Sequence, residues 1–396
     1  MLQSVHKSYE HTIYASYIGY ITQAIVNNFV PLLFLTFAAD YQLSLDRITL
    51  LTTVNFLVQL AVDLVSAKVI DRIGYRVSII FAHFCAGMGL VGLAVFPALF
   101  GNAYAGIMAA VVLYAIGGGV IEVLISPIVE ACPTEKKEAA MSLLHSFYCW
   151  GHLGVVLLST LFFKLCGIGN WRILACLWAI VPFLNIVYFM LVPIYPIAAE
   201  HEKLSFGALL RQKTFWLIVV LMVCAGASEQ AMSQWASAFA ESALSVSKTI
   251  GDLAGPCAFA LCMGTSRALY GKYSDYIPLK KMMMGSAILC IACYLIAVFA
   301  GNPIFGLIGC ALCGFSVGIF WPGTFSIAAS ALPGGGTAMY ALMALAGDLG
   351  CSSGPTVVGM VANASGDNLK SGLLVAMVFP VVMLLGIGMI REKRHI

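Results

Sequence analysis

The sequence predicts an all-α membrane protein, with twelve transmembrane helices arranged as two pseudo-symmetric six-helix bundles. Three observations carry that expectation. Of 396 residues, 61% are hydrophobic and only 10% are charged, against roughly 25% charged in a soluble chain. With a mean hydropathy of +0.95, lipid must be the solvent for most side chains. Apolar stretches of about 20 residues, each long enough to cross a bilayer, follow one another with short connections. Finally, Asp71-Arg72-Ile73-Gly74-Tyr75-Arg76 sits between two such stretches, and a looser copy, Gly271-Lys272-Tyr273-Ser274-Asp275 followed by Lys280-Lys281, returns 204 positions later. A motif repeated at that distance marks a duplicated membrane fold, the architecture of a transporter.

The elements follow in order. Residues 1–196 form the N-terminal bundle, with spans expected over 12–38, 48–70, 76–98, 104–130, 138–164 and 171–195. A short cytoplasmic linker covers 197–213 and holds Glu200, His201, Glu202, Lys203, Arg211 and Lys213. The C-terminal bundle, 214–396, has spans over 214–240, 249–271, 279–300, 303–331, 336–362 and 369–390. Met1 to Glu10 is polar and reads as a lead into the first span, without the apolar core of a secretory signal. If the N-terminus is cytoplasmic, 16 of the 21 Lys and Arg fall on the cytoplasmic side, so both termini are expected there, in a multi-pass protein of the cell membrane. The 13 cysteines lie almost entirely inside apolar segments and read as small packing residues. A net charge of +3 gives no footing for a nucleic-acid partner.

A second echo supports the duplication. Span five contains Trp150-Gly151-His152-Leu153-Gly154, and span eleven contains Ala346-Gly347-Asp348-Leu349-Gly350, 196 positions later. Small residues at this spacing let helices approach closely, and Gly350, Gly354 and Pro355 should give span eleven a thin, kinked face.

Ionisable groups inside a span cost about 2.5–3.5 kcal/mol each on insertion scales and usually face a cavity. The candidates are Glu122 in span four, His145 and His152 in span five, Glu229 in span seven and Asp348 in span eleven, with Asp63 nearer the cytoplasmic end of span two. Buried pairs that only fix helix packing would also explain them. The alternative is a proton-coupled site, in which protonating a carboxylate lets a cavity close without burying a lone charge.

These features resemble the major facilitator superfamily, whose signature between helices two and three is Gly-x-x-x-Asp-Arg/Lys-x-Gly-x-Arg/Lys. Here it reads from Ala67, in place of the first glycine, through Asp71, Arg72, Gly74 and Arg76. The resemblance implies a cytoplasmic gate built on Asp71, Arg72, Arg76 and Asp275; Asp63, toward the cytoplasmic end of span two, reads from its position as a further gate group. It also implies a cavity lined by spans one, four, five, seven, eight, ten and eleven. Those spans offer Gln23, Asn27, Asn28, Ser126, Ser146, Tyr148, Trp150, Ser233, Gln234, Trp235 and Trp321. Amides beside flat aromatic faces suit a hydroxylated solute.

Glu122-x-x-x-Ser126-Pro127 and Asn27-Asn28 are similar to motifs of the fucose–proton symporter group. There the span-four Glu serves proton coupling and sugar binding. Ser126 stands where that group has Asn, and Pro31 where it has a coupling Asp.

The expected activity is therefore secondary transport of a small polar solute, a sugar or related metabolite, by alternating access with protons. No enzyme chemistry, cofactor or metal is expected, and the expected state is a monomer in the lipid bilayer. A drug or metabolite antiporter, a membrane sensor and a lipid flippase are the alternatives. An exporter of the antiporter type carries a Gly-Pro motif in helix five, which span five lacks. Cys290-x-x-Cys293 and Cys310-x-x-Cys313 have metal-like spacing but no nearby His, and Gly334-Gly335-Gly336 lacks the Lys-Ser/Thr of a phosphate loop. Asn363-Ala364-Ser365 fits a glycosylation acceptor.

Overall fold

The computed structural model describes residues 8–134, 137–195, 206–273, 277–332 and 336–390. The chain divides into two compact units, Met1–Ala199 and Glu200–Ile396, and among the described residues both are helical.

In unit 1, α1 (Tyr9–Asn28) starts at Ser8, whose hydroxyl accepts from the Glu10 amide at 3.3 Å. Pro31 has no amide proton for a continuing helix, and a 3₁₀ turn over Val30–Leu33 separates α1 from α2 (Phe34–Tyr41). Gln42, in the left-handed region at φ 54°, ends α2. Then come α3 (Leu45–Ile73), α4 (Tyr75–Leu99), α5 (Ala103–Glu130), α6 (Lys137–Cys166) and α7 (Trp171–Leu191). Gly74, the glycine of the loop motif, sits at φ 92° and donates its amide to Ile70 O at 2.7 Å. A residue with a side chain would be strained there, so the glycine makes the sharp reversal between α3 and α4 possible. Helix α4 packs on α5 and α7, and α1 packs on α5 and α6.

Unit 2 contains α8 (Phe206–Leu210), α9 (Lys213–Ser233), α10 (Ala236–Ala243) and α11 (Lys248–Asp252). A π-helical turn over Leu253–Cys257, carrying Pro256, leads into α12 (Ala258–Tyr273). There follow α13 (Leu279–Phe299), α14 (Pro303–Val317), α15 (Phe320–Ala331), α16 (Gly336–Ala364), α17 (Leu369–Ala376) and α18 (Val378–Met389). Lys248 reaches Glu241 at 3.3 Å and Asp252 at 3.1 Å, and the Ser237 hydroxyl donates to Asp252, which ties α10 to α11.

The close contact of α9 with α16 rests on glycine. A Cβ at Gly350 would collide with Val223 O, and one at Gly354 with Ala227 O, as the thin face expected for span eleven requires. The matching approach in unit 1, of α6 on α1, uses the other glycine of the repeated frame. A Cβ at Gly151 would lie 2.9 Å from the Ala24 side chain, whereas nothing stands within 4 Å of one at Gly154.

Ten helices among the described residues are long and apolar enough to cross a membrane, and the protein is a multi-pass membrane protein. The two further expected spans correspond to the stretch broken at Pro256 and to α16, which is rich in Gly, Ala and Ser and carries Asp348.

The repeated loop motif has a structural task in each unit. Arg76 donates to the carbonyls of Phe189 at 2.6 Å, Met190 at 3.1 Å and Val192 at 2.9 Å, closing the C-terminus of α7. Lys280, 204 positions later, donates to Ile390 O at 2.6 Å, just beyond α18. In both cases a cation meets the orphan carbonyls and the negative end of the last helix of its unit. Arg76, expected at a gate, is thus already engaged within unit 1. Arg72 is exposed, nothing is described of the Asp71 side chain, and Asp275 lies outside the described residues. Arg76→Gln should cost about 1–3 kcal/mol of stability and lower the thermal midpoint in detergent. An unchanged midpoint would show that the three carbonyl contacts do not hold α7.

Candidate functional site

Each unit holds its own polar centre. In unit 1 it is built from pairs spaced four residues apart, which places both members on one helix face. Gln23 and Asn27 lie on α1, Asn55 and Gln59 on α3, and Glu122 and Ser126 on α5. Gln23 Nε2 donates to Glu122 Oε2 and to Gln59 Oε1, both at 2.8 Å. Gln59 Nε2 donates to Asn27 Oδ1 at 2.8 Å and to Asn55 Oδ1 at 3.0 Å, and Asn55 Nδ2 donates to Asn27 Oδ1 at 3.1 Å. The four amides are buried and Glu122 is half-buried. A carboxylate therefore sits at one end of a continuous chain of amides. Gln23 Oε1 is buried with no hydrogen-bond partner and lies against Gly118 of α5, where an added Cβ would stand 2.8 Å from it.

Around this chain, Tyr20 Oη and Ser126 Oγ lie 3.2 Å apart, and the His145 ring stands 5.4 Å from the Tyr20 ring. Asn28 Nδ2 donates to Ala24 O at 2.9 Å and to Tyr148 Oη at 3.4 Å. His152 is buried, Trp150 is half exposed, and Asp63 is half-buried one turn beyond Gln59.

In unit 2, Glu229 on α9 is buried and pairs with Arg267 on α12, Oε2 to Nη2 at 3.7 Å. Gln230 Nε2 donates to Glu229 Oε1 at 3.3 Å, and Gln234 Nε2 to Gln230 Oε1 at 3.1 Å. Arg267 Nε donates to Gly318 O at 3.3 Å, at the break between α14 and α15. Asp348 is buried on α16. Trp321 is half-buried, and a Cβ at Gly347 would meet its ring, so that glycine leaves room for the indole. Trp235, expected on a solute-facing wall, is instead fully buried, with its indole N–H donated to Pro355 O at 2.9 Å. Its polar atom ties the α9–α10 joint to α16.

The sequence reading missed Asn55 and Gln59 and counted Arg267 only among the loop cations. Two amides four residues apart inside an apolar span were the available sign for the first pair. Arg267, four residues from the end of its expected span, offered no such sign. Among the described residues no group of three or more His, Cys, Asp or Glu side chains could hold a metal ion, and the four cysteines of the paired CxxC segments are buried, with Cys290 and Cys313 Sγ atoms 4.0 Å apart.

No curated protein matches this sequence. Solved structures that match in fold include the E. coli fucose:proton symporter, at 16% identity and TM-score 0.66 over 98% of this chain and 100% of that one. A bacterial homologue of the human lysosomal transporter Spinster, inward-facing and occupied, matches at 14% identity and TM-score 0.76, covering 96% of each chain. The D-xylose–proton symporter matches at 15% identity and TM-score 0.74, covering 95% of this chain and 94% of that one. At such identities the likeness is one of fold. The family profile of the Major Facilitator Superfamily matches residues 16–355, most of the sequence, and so, with its helical units and its Asp71 loop motif, the chain belongs to the major facilitator superfamily of membrane transporters.

Proposed function

We propose that the chain carries a small polar solute, a sugar or related metabolite, across the cytoplasmic membrane by alternating access, coupled to protons, as a monomer with twelve spans and both termini in the cytoplasm. The observation that carries the reading is Glu122 at the end of the buried amide chain Gln23–Gln59–Asn27–Asn55. Buried amides that both donate and accept are the chemistry that recognises hydroxyl groups, and a hydroxyl could satisfy Gln23 Oε1. A carboxylate among them accepts a hydroxyl proton strongly when ionised and can be neutralised by a proton for closure. Glu229, Asp348, His152 and His145 are the further titratable groups of the two centres. Asp63, Asp71, Arg72 and Asp275 would serve the cytoplasmic gate. Fucose and D-xylose, the sugars named for two of the matching structures, head the panel of test solutes.

In a thermal-shift screen of the purified protein, sugars should stabilise the wild type, and Glu122→Gln should bind the same sugar roughly 10- to 100-fold more weakly. Stabilisation by an unrelated class, with none by any saccharide, would end the sugar reading. In proteoliposomes, adding the bound sugar should alkalinise the outside medium with wild-type protein and not with Glu122→Gln. Uptake without any pH change would leave solute transport standing and remove the coupling. Gln59→Leu removes two donated hydrogen bonds and one accepted one, and should destabilise the protein by about 1–3 kcal/mol while weakening sugar binding. If both properties keep their wild-type values, the amide chain is not what holds Glu122.

A further inference from the structure

Helix α14 stops at Val317 and α15 starts at Phe320, and the break follows from one missing donor. In a continuous helix Gly318 O would accept from the amide of residue 322, but Pro322 has no amide proton and its ring crowds that carbonyl. The neighbouring rungs are intact. The Gly318 amide donates to Gly314 O at 3.2 Å, and the Gly323 amide to Ile319 O at 2.8 Å. The donor that reaches Gly318 O comes from another helix: Arg267 Nε, on α12, donates to it at 3.3 Å.

Packing brings the arginine there. A Cβ at Gly314 would collide with Phe259 O, and one at Gly318 would stand 3.0 Å from Met263 O and from Ser266 Oγ. Two glycines one turn apart thus seat α14 on the stretch of α12 that runs up to Arg267. The Nε and Nη2 groups form one edge of the planar guanidinium. That edge faces two partners, Gly318 O and, at 3.7 Å, Glu229 Oε2 on α9. Just past the break stands Trp321, half-buried, its ring in the space that Gly347 of α16 leaves open. The direction in which α15 leaves the break therefore decides where the indole stands.

We propose that Arg267 is a positioning residue for the solute site. By donating to the carbonyl that Pro322 orphans, it fixes the bend between α14 and α15, and through the bend the place of Trp321. The effect on binding rests on the sugar-type reading above, in which Trp321 faces the solute; the bend does not. A role confined to the Glu229 pair would hold α12 to α9 and leave the indole where it is.

The test is a double-mutant cycle on the purified full chain, with its six tryptophans replaced by fluorotryptophan and read by fluorine NMR. Trp321→Phe assigns the Trp321 line. Arg267→Gln should displace that line. Pro322→Ala returns an amide to the position four residues after Gly318, so the same arginine change made on Pro322→Ala should displace it far less. A line indifferent to Arg267→Gln, or displaced equally on both backgrounds, overturns the proposal. Where Arg267→Gln does not elute with the wild type on size exclusion, the cycle is run on Glu229→Gln, so that Glu229 is not left ionised without its arginine. Whichever of fucose and D-xylose stabilises the wild type should bind roughly 10-fold more weakly to Arg267→Gln, and the arginine change should add little on Pro322→Ala. If neither sugar binds, the sugar reading loses its support, and the fluorine cycle alone decides whether Arg267 holds the bend.

Discussion

The constraint on which this molecule depends is that lipid offers no hydrogen bonds. In water, Asn55 or Gln59 could point outward at little cost. Inside a span each must find its partner in the protein, and here the partners are other amides: Gln23 to Gln59, Gln59 to Asn27 and Asn55. The result is a directional chain. Gln59 spends both its donors on Asn27 and Asn55, so its oxygen must accept, and Gln23 must turn its own donors toward Gln59 and Glu122. The orientation of the amide that meets the carboxylate is therefore settled by its partner on α3.

Such chains require helices whose backbones come close, and glycine provides this. Between lipid-embedded helices there is little hydrophobic drive to associate, so packing of small surfaces carries the contact. On α16 the glycines that touch α9 flank Asp348, so the acid's place is fixed by the backbone approach itself, at Gly347 and Gly350. The same frame in unit 1 holds His152 beside Gly151, which seats α6 on α1. In each half a titratable residue lies inside the tightest packing motif of its helix.

How much was legible follows from the strength of each physical signal. Long apolar runs and the 204-residue echo are properties of whole segments, and the helices and the two units could be expected from them. Acids within apolar runs are rare enough to stand out singly, so Glu122, Glu229 and Asp348 were visible. Their partners were not. Asn55 and Gln59 are uncharged, and a pair of amides in an apolar span does not stand out as an acid does, so both passed unnoticed. Arg267 was obscured for a different reason. Four residues from the end of its expected span it reads as an anchor, and only its long side chain takes the charge inward. The 204-residue match of Arg76 with Lys280 was legible as a pattern, but that both cap a helix C-terminus needed coordinates.

The register that relates Asp71 to Asp275 and Arg76 to Lys280 also relates Asp63 to Arg267. Duplication thus preserved the position of an intramembrane charge and reversed its sign. In unit 1 that position holds an acid one turn from Gln59, in a half whose centre is otherwise amides and Glu122. In unit 2 it holds the cation that compensates Glu229. The two centres thus differ in which charge stands at one register position.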